Sequence, residues 1–193
     1  MNLYIVRHGE TVSNFEKRML GGGGDSPLTN NGRNQAILLG KKCAYIDFDA
    51  VYSSPLKRAI DTIEVAFSGK FKPTVDVRLT EIQLGDMEGL TWDEAFLAFP
   101  QSGTFMSDPS SYTPPPRGEK LLDVIQRVSA FLDDISKKDY ASILVVTHGY
   151  IMRVFHSCIL DKSIISIGNA PVYLNCEIAH YILDREKNQF VIQ

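Results

Sequence analysis

Two short apolar runs, each ending in a histidine and a glycine, constrain this chain most. Leu3-Tyr4-Ile5-Val6 leads into Arg7-His8-Gly9-Glu10-Thr11, and Ile143-Leu144-Val145-Val146 leads into Thr147-His148-Gly149. Aliphatic and β-branched runs of this length that stop at a glycine read as buried parallel strands. In an open α/β sheet the carboxyl ends of such strands form the ligand crevice. His8 and His148 are therefore expected to open into one pocket, although 140 positions separate them. Imidazole titrates near neutrality and serves as nucleophile, base or acid, so two of them on one crevice point to chemistry. The plainer alternative is two core histidines that happen to cap strands. It leaves unexplained the Arg before the first and the Gly after both.

Between these strands the chain alternates. Thr29 is a good N-cap for a helix through about Cys43, with Ala36, Leu39, Gly40 and Cys43 on one face. Ala50-Val51-Tyr52-Ser53 reads as a strand, after which Ser54 is expected to cap a helix whose first residue is Pro55 and which ends near Phe67. Thr74 to Val77 reads as a short strand and Trp92 to Phe99 as a short helix, with Trp92, Phe96 and Phe99 assigned to the core. Residues 100–118, rich in Pro, Ser and Gly, are expected to form a loop over the body. Glu119 to Ser136 is strongly amphipathic, with Leu121, Leu122, Ile125, Val128, Leu132 and Ile135 on its apolar face. A helix from about Tyr150 to Leu160 follows the second histidine strand, and Glu177–Leu183 with Gln189–Ile192 reads as a hairpin. The alternation predicts a three-layer α/β/α sandwich with a mostly parallel central sheet.

Size and composition narrow the function classes. With 193 residues, 44% hydrophobic and 22% charged, the chain is expected to be one domain with a full core and a loop or helical cap at about 90–118. A net charge of −3 gives no reason to expect nucleic acid or an anionic membrane as partner. Cys43, Cys158 and Cys176 are odd in number and lack a CxxC pair, which suits a reducing compartment and speaks against a disulfide framework or zinc knuckle. No apolar run reaches the roughly 18 residues that cross a bilayer, and no signal-peptide pattern is present, so the expectation is a cytoplasmic protein. Nothing marks the oligomeric state.

The chemistry-bearing residues form a constellation. Arg7 adjoins His8, and Arg58 is placed one turn inside the helix after Ser54-Pro55. Guanidinium forks match phosphate oxygens in geometry and charge. Alone, Arg58 would be a solvated helical charge; its interest comes from lying at the expected strand-end crevice. Glu81 sits among Leu79, Ile82 and Leu84, a setting that raises a carboxyl's pKa and keeps it available as a proton donor. Asp86 and Glu88 read as solvated loop carboxylates, and His156 and His180 as structural. The Gly21-Gly22-Gly23-Gly24 run invites a phosphate-cradling reading, but it lacks the Lys-Ser/Thr of a P-loop and suits a flexible rim loop.

The ordered set of motifs resembles branch 1 of the histidine phosphatase superfamily, which includes cofactor-dependent phosphoglycerate mutases and their phosphatase relatives. The matching stretches are Arg7-His8-Gly9-Glu10-Thr11 with Asn14, Asp25-Ser26-Pro27-Leu28-Thr29 with Gly32, and Ser53-Ser54-Pro55-Leu56-Lys57-Arg58-Ala59. They continue with Glu81, Gly85 and Glu88-Gly89, then Gly118-Glu119, then Thr147-His148-Gly149. The resemblance implies that His8 attacks phosphorus and becomes a transient phosphohistidine. It also implies that Arg7, Arg58, Asn14 and His148, with Gly149, Gly21 and Gly22 beside them, hold the phosphate or substrate, and that Glu81 acts as acid and then as base. No metal ligand set or DxD pattern is present, so the expected chemistry uses no metal and no cofactor. Leu20 with four glycines, Lys120 and Tyr150 depart from the family pattern at positions expected to surround the substrate.

A mutase needs a second anion site. Residues 90–118 carry one cation, Arg117, but offer Phe105, Met106, Tyr112 and a proline run suited to an apolar substrate face. The expectation is therefore a phosphomonoesterase acting on a small-molecule phosphate ester. The alternatives are phosphoglycerate mutase-type transfer, or a phospho-ligand binder without turnover, which would be expected to lack His8 or Glu81.

Overall fold

The computed structural model describes residues 1–160, 164–187 and 189–192. Six strands form one sheet: β1 (Asn2–Arg7), β2 (Ala50–Ser53), β3 (Thr74–Val75), β4 (Ser142–Thr147), β5 (Ile178–Asp184) and β6 (Gln189–Ile192). Their order is β3-β2-β4-β1-β5-β6. The first three pairings in that order are parallel, whereas β5 pairs antiparallel with β1 and with β6. The sheet is thus mixed, with a parallel centre. β1 and β4 lie side by side in register, Val6 opposite Val146 and Arg7 opposite Thr147. That register brings the two histidine motifs together at one sheet edge.

Seven helices accompany the sheet among the described residues: α1 (Val12–Phe15), α2 (Asn30–Lys42), α3 (Lys57–Phe67), α4 (Trp92–Ala98), α5 (Leu121–Ser136), α6 (Gly149–Leu160) and α7 (Ile164–Asn169). Alternation along the central strands divides the core in two, as strand geometry requires. Leu3, Ile5, Ile143 and Val145 pack towards α5 and α6, while Val6, Leu144 and Val146 pack towards α2 and α3. Each fully buried aliphatic side chain contributes about 1.5–3 kcal/mol relative to exposure. Truncating one such as Leu144 to alanine would cost about 2–5 kcal/mol.

The expected helix over Thr29–Cys43 is present, and the Thr29 side chain accepts the Gly32 amide as its cap. The next helix departs from expectation. It begins at Lys57 rather than Pro55, with Leu56 at the N-cap and no side-chain cap of its own. Asp25 supplies the missing acceptor from another part of the chain, its carboxylate taking the Lys57 and Arg58 amides. Ser54 cannot serve because its hydroxyl meets His148 and the Leu56 amide.

Other local differences have similar causes. Val77 enters a 3₁₀ turn, Val77–Leu79, capped by Asp76, so β3 stops at Val75. Residues 100–118 carry two 3₁₀ turns, Ser102–Met106 and Pro109–Ser111. Leu122 is 69% exposed because the buried stripe of α5 runs through Leu121, Val124, Val128, Phe131, Leu132 and Ile135. α7 was not foreseen from its short Ile164–Asn169 segment. Among the described residues no helix is long and apolar enough to cross a membrane.

Candidate active site

A cavity of about 310 Å³ opens at the carboxyl ends of β1 and β4. Arg7, His8, Asn14, Glu81, Gly149 and Tyr150 line it. Arg58 and His148 are more deeply set, 1% and 0% exposed. The two histidine rings stand 5.2 Å apart between centroids.

His8 is held through its backbone and its ring. Its amide donates to Thr147 O at 2.9 Å, a continuation of the β1–β4 ladder. Its Nδ1 lies 2.8 Å from Gly9 O, and a carbonyl can only accept. Nδ1 therefore carries the proton, which leaves the Nε2 lone pair unprotonated. Burial, then the guanidinium groups of Arg58 and Arg7, push this imidazole well below its ordinary value. The neutral ring with a bare Nε2 is the form that can attack an electrophile.

Arg58 is organised by a different route. Its Nε donates to His148 Nδ1 at 3.2 Å, Nη1 to Gly24 O at 2.8 Å and to Asp25 at 3.2 Å, and Nη2 to Gly21 O at 2.9 Å. One Nη2 hydrogen keeps no acceptor among the described residues. His148 Nδ1 acts as acceptor in this arrangement, so its Nε2 donates to Ser54 Oγ at 2.7 Å. Burial, Arg58 and His8 hold His148 neutral by lowering its pKa. Arg7 donates from Nη1 to Tyr173 O at 2.7 Å, while its buried Nε has no partner among the described residues. An orphaned guanidinium donor on a cavity wall is costly unless a ligand completes it.

Asn14 is fixed with its amide nitrogen spare. Its Oδ1 accepts from the Thr11 amide and from Asn175 Nδ2, both at 3.2 Å. Asn175 Nδ2 also donates to His8 O at 3.0 Å, so this side chain, which the sequence did not single out, ties the two site residues together. Glu81 is 9% exposed, and its sequence neighbours Leu79, Ile82 and Leu84 are all buried. Burial raises its pKa, although the Ile82 and Tyr150 amides and both arginines oppose the shift. Burial is the largest of these effects, so the net shift is upward and favours the protonated carboxyl.

Gly21 and Gly22 stand behind this wall. The Gly21 carbonyl holds Arg58 and the Gly22 amide donates to Ile82 O at 2.9 Å, so neither group is left for a ligand. Glu88 is not a solvated loop carboxylate: it accepts the Gly23 and Leu84 amides and closes the glycine run onto the Glu81 segment. Lys120 lies outside the cavity at the exposed start of α5, and Arg117 pairs with Asp86 at the surface. Tyr112 sits behind Phe105, its ring 6.2 Å away. Trp92 lines the cavity with Phe105 and Met106, contrary to its assignment to the core. Arg153, Val172 and Tyr173 also line it, as do the cations Lys17 and Arg18, and α6 would have flagged Arg153 as a lone charge among Ile151, Met152, Val154 and Phe155. Among the described residues no group of three or more His, Cys, Asp and Glu is placed to hold a metal ion.

Comparison with known proteins agrees with this geometry. The family described as histidine phosphatase superfamily (branch 1) matches residues 3–193. Phosphoglycerate mutase-like protein 4 of Arabidopsis thaliana is 36% identical over 78% of this chain and 67% of its own length. Phosphoserine phosphatase 1 of Hydrogenobacter thermophilus is 27% identical over 100% of this chain and 90% of its own. The solved structure of Bacillus stearothermophilus YhfR superposes with a TM-score of 0.89 at 34% identity, covering 99% of this chain and 94% of that one.

Proposed function

The chain belongs to branch 1 of the histidine phosphatase superfamily, and we propose that it is a metal-independent phosphomonoesterase that hydrolyses a small phosphate ester through a phosphohistidine. The carrying observation is the 2.8 Å contact of His8 Nδ1 with Gly9 O, which reserves Nε2 for attack. His8 Nε2 bonds to phosphorus as the ester P–O bond breaks. Protonated Glu81 gives its proton to the departing alkoxide. The Glu81 carboxylate then takes a proton from water, whose oxygen displaces His8 from phosphorus to release inorganic phosphate. Arg7 and Arg58, with the Asn14 amide, hold the equatorial oxygens, and their fixed positive charge stabilises the transition state without reorganisation. His148 supports that set through Arg58.

The phosphatase relative supports hydrolysis as the outcome. The test is release of phosphate from para-nitrophenyl phosphate in excess chelator by the wild type and by His8→Ala. Chelator-resistant release that disappears in the variant is expected. Release abolished by chelator would contradict the metal-independent reading. Bisphosphate-stimulated transfer between positions of one acid, with little hydrolysis, would identify a mutase instead.

A further inference from the structure

The loop between α7 and β5 reaches the phosphate site at three places, and no motif marks it. Tyr173 O receives Arg7 Nη1 at 2.7 Å, Asn175 Nδ2 donates to His8 O at 3.0 Å, and the same nitrogen donates to Asn14 Oδ1 at 3.2 Å. The loop is itself held on β1. The Cys176 amide donates to Arg7 O at 2.9 Å and the Arg7 amide to Glu177 O at 3.3 Å. Cys176 sits at φ 58°, in the left-handed region that residues with a side chain avoid. Strain of this kind persists only where the surroundings over-determine it, and it collects at functional sites. Here it belongs to a tight turn, closed by the Glu177 amide on Leu174 O at 3.0 Å, in which Asn175 is the residue before the strained one.

Asn14 needs an outside hold. It lies on α1, a single turn of four residues, none of them buried. A helical turn of that length is marginal on its own. Its capping box sets Asn14 Oδ1 against the Thr11 amide, an N–H that can only donate. Asn175 is oriented just as firmly, because His8 O can only accept. Backbone groups therefore fix which way both side-chain amides face. The two Asn175 Nδ2 hydrogens go to His8 O and Asn14 Oδ1, and its own oxygen is an acceptor. Asn175 thus lines the cavity with no donor left for a phosphoryl oxygen. Asn14, gripped by its oxygen from two sides, keeps its Nδ2 hydrogens to give.

We infer that Asn175 is a positioning residue of the phosphate site: it holds Asn14 Oδ1 from outside α1 and so presents the Asn14 amide nitrogen to the phosphoryl oxygens. The same Asn175 nitrogen steadies the carbonyl of the nucleophile. Contact with the oxyanion falls to Asn14 and orientation to Asn175. What Asn14 binds is taken from the phosphatase reading, but the test needs no turnover.

That test is a double-mutant cycle on the full chain: wild type, Asn14→Ala, Asn175→Leu and the pair. Each is titrated calorimetrically with orthovanadate, a tetrahedral oxyanion shaped like phosphate, and melted thermally. Leucine keeps the width of asparagine and removes the donor; Asn175→Ala repeats the cycle with a smaller side chain. Asn14→Ala is expected to weaken vanadate about 10- to 100-fold, the scale of a hydrogen bond to a charged group, and Asn175→Leu about 3- to 10-fold. Once Asn14 is alanine, Asn175→Leu changes the affinity less than about twofold. Asn175→Gln, which keeps the amide, recovers part of the single-variant loss. Equal weakening by Asn175→Leu with and without Asn14 marks a purely structural side chain and overturns the inference. Vanadate affinity unmoved by Asn175→Leu and Asn175→Ala overturns it too, as does a wild type that binds no vanadate. A wild type that shows this coupling but hydrolyses no ester strikes the phosphatase reading alone.

Discussion

Arg58 Nε donates to His148 Nδ1 across 3.2 Å, joining the start of α3 to the start of α6. One guanidinium thereby fixes the tautomer of the second histidine while its remaining donors grip the 21–25 loop. A lysine has the charge but not the fork. Arg58→Lys is expected to lower kcat/KM about 10²- to 10³-fold, the scale of losing one oriented donor at a developing charge. Steady-state kinetics on an aryl phosphate checks this, and a loss below threefold would remove Arg58 from the reacting-group contacts.

Asp25 ties the helix to the charge it carries, accepting the Lys57 and Arg58 amides and pairing with the Arg58 side chain. Asp25→Ala should reduce stability by about 1–2 kcal/mol, as loss of an N-cap does. It should also reduce kcat/KM about tenfold by loosening Arg58. Denaturant unfolding and kinetics on the same preparation measure both, and stability loss with full activity would confine Asp25 to capping.

Gly21 is a close approach. A Cβ there would stand 2.6 Å from Ile82 O and 2.8 Å from Leu84 N, both backbone atoms that cannot swing aside. Gly21→Ala is expected to cost about 1–3 kcal/mol through overpacking and to draw the Gly21 carbonyl away from Arg58. At Gly24 the nearest atom is Leu20 Cδ1 at 3.2 Å, on a mobile side chain. Gly24→Ala should be nearly neutral in thermal melting; equal effects would show that the loop is not packed as described.

The buried histidines set the pH response. His8 and His148 have folded pKa values below their unfolded value of about 6.5. Between those values the unfolded chain binds more protons, so stability falls as pH is lowered from about 6.5. The slope is up to about 1.4 kcal/mol per pH unit for each histidine. Glu81 is shifted upward, so its protonated form persists above its ordinary value and is lost as pH rises through the shifted one. A bell-shaped kcat/KM profile follows, with an acid limb below pH 6.5 from His8 and an alkaline limb from Glu81 that Glu81→Gln removes. An acid limb centred above 6.5 would contradict the burial argument for His8.

Local signals made the parallel centre of the sheet readable. The β1 and β4 runs carry their own hydrophobic pattern and stop at glycine, and the Thr29-capped helix and amphipathic α5 announce themselves in the same way. The start of α3 could not be read locally, because its acceptor is Asp25, more than thirty positions earlier. Trp92 and Phe96 have helical spacing that suits a core, yet only the folded placement of the segment turns Trp92 to the cavity. Asn175 carried no motif at all. Arg153 did leave a mark, one charge inside an apolar helix, but its place on the cavity wall depends on α6 starting at the His148 strand end. Substrate-side residues come from separated segments that meet only in three dimensions, whereas the reacting residues keep fixed chemistry at strand ends.

The central claim is that His8 accepts the phosphoryl group on Nε2. Glu81→Gln removes the base needed for the second step, so it should accumulate the intermediate when mixed with an activated aryl phosphate, whose leaving group needs little acid assistance. Rapid quenching at alkaline pH followed by peptide mass spectrometry reads the site directly. A phosphoryl group on His8, labile to acid and absent from His8→Ala, is the predicted result. Full hydrolysis by the wild type with no phosphorylated histidine at any quench time, or the group found on another residue, would contradict it.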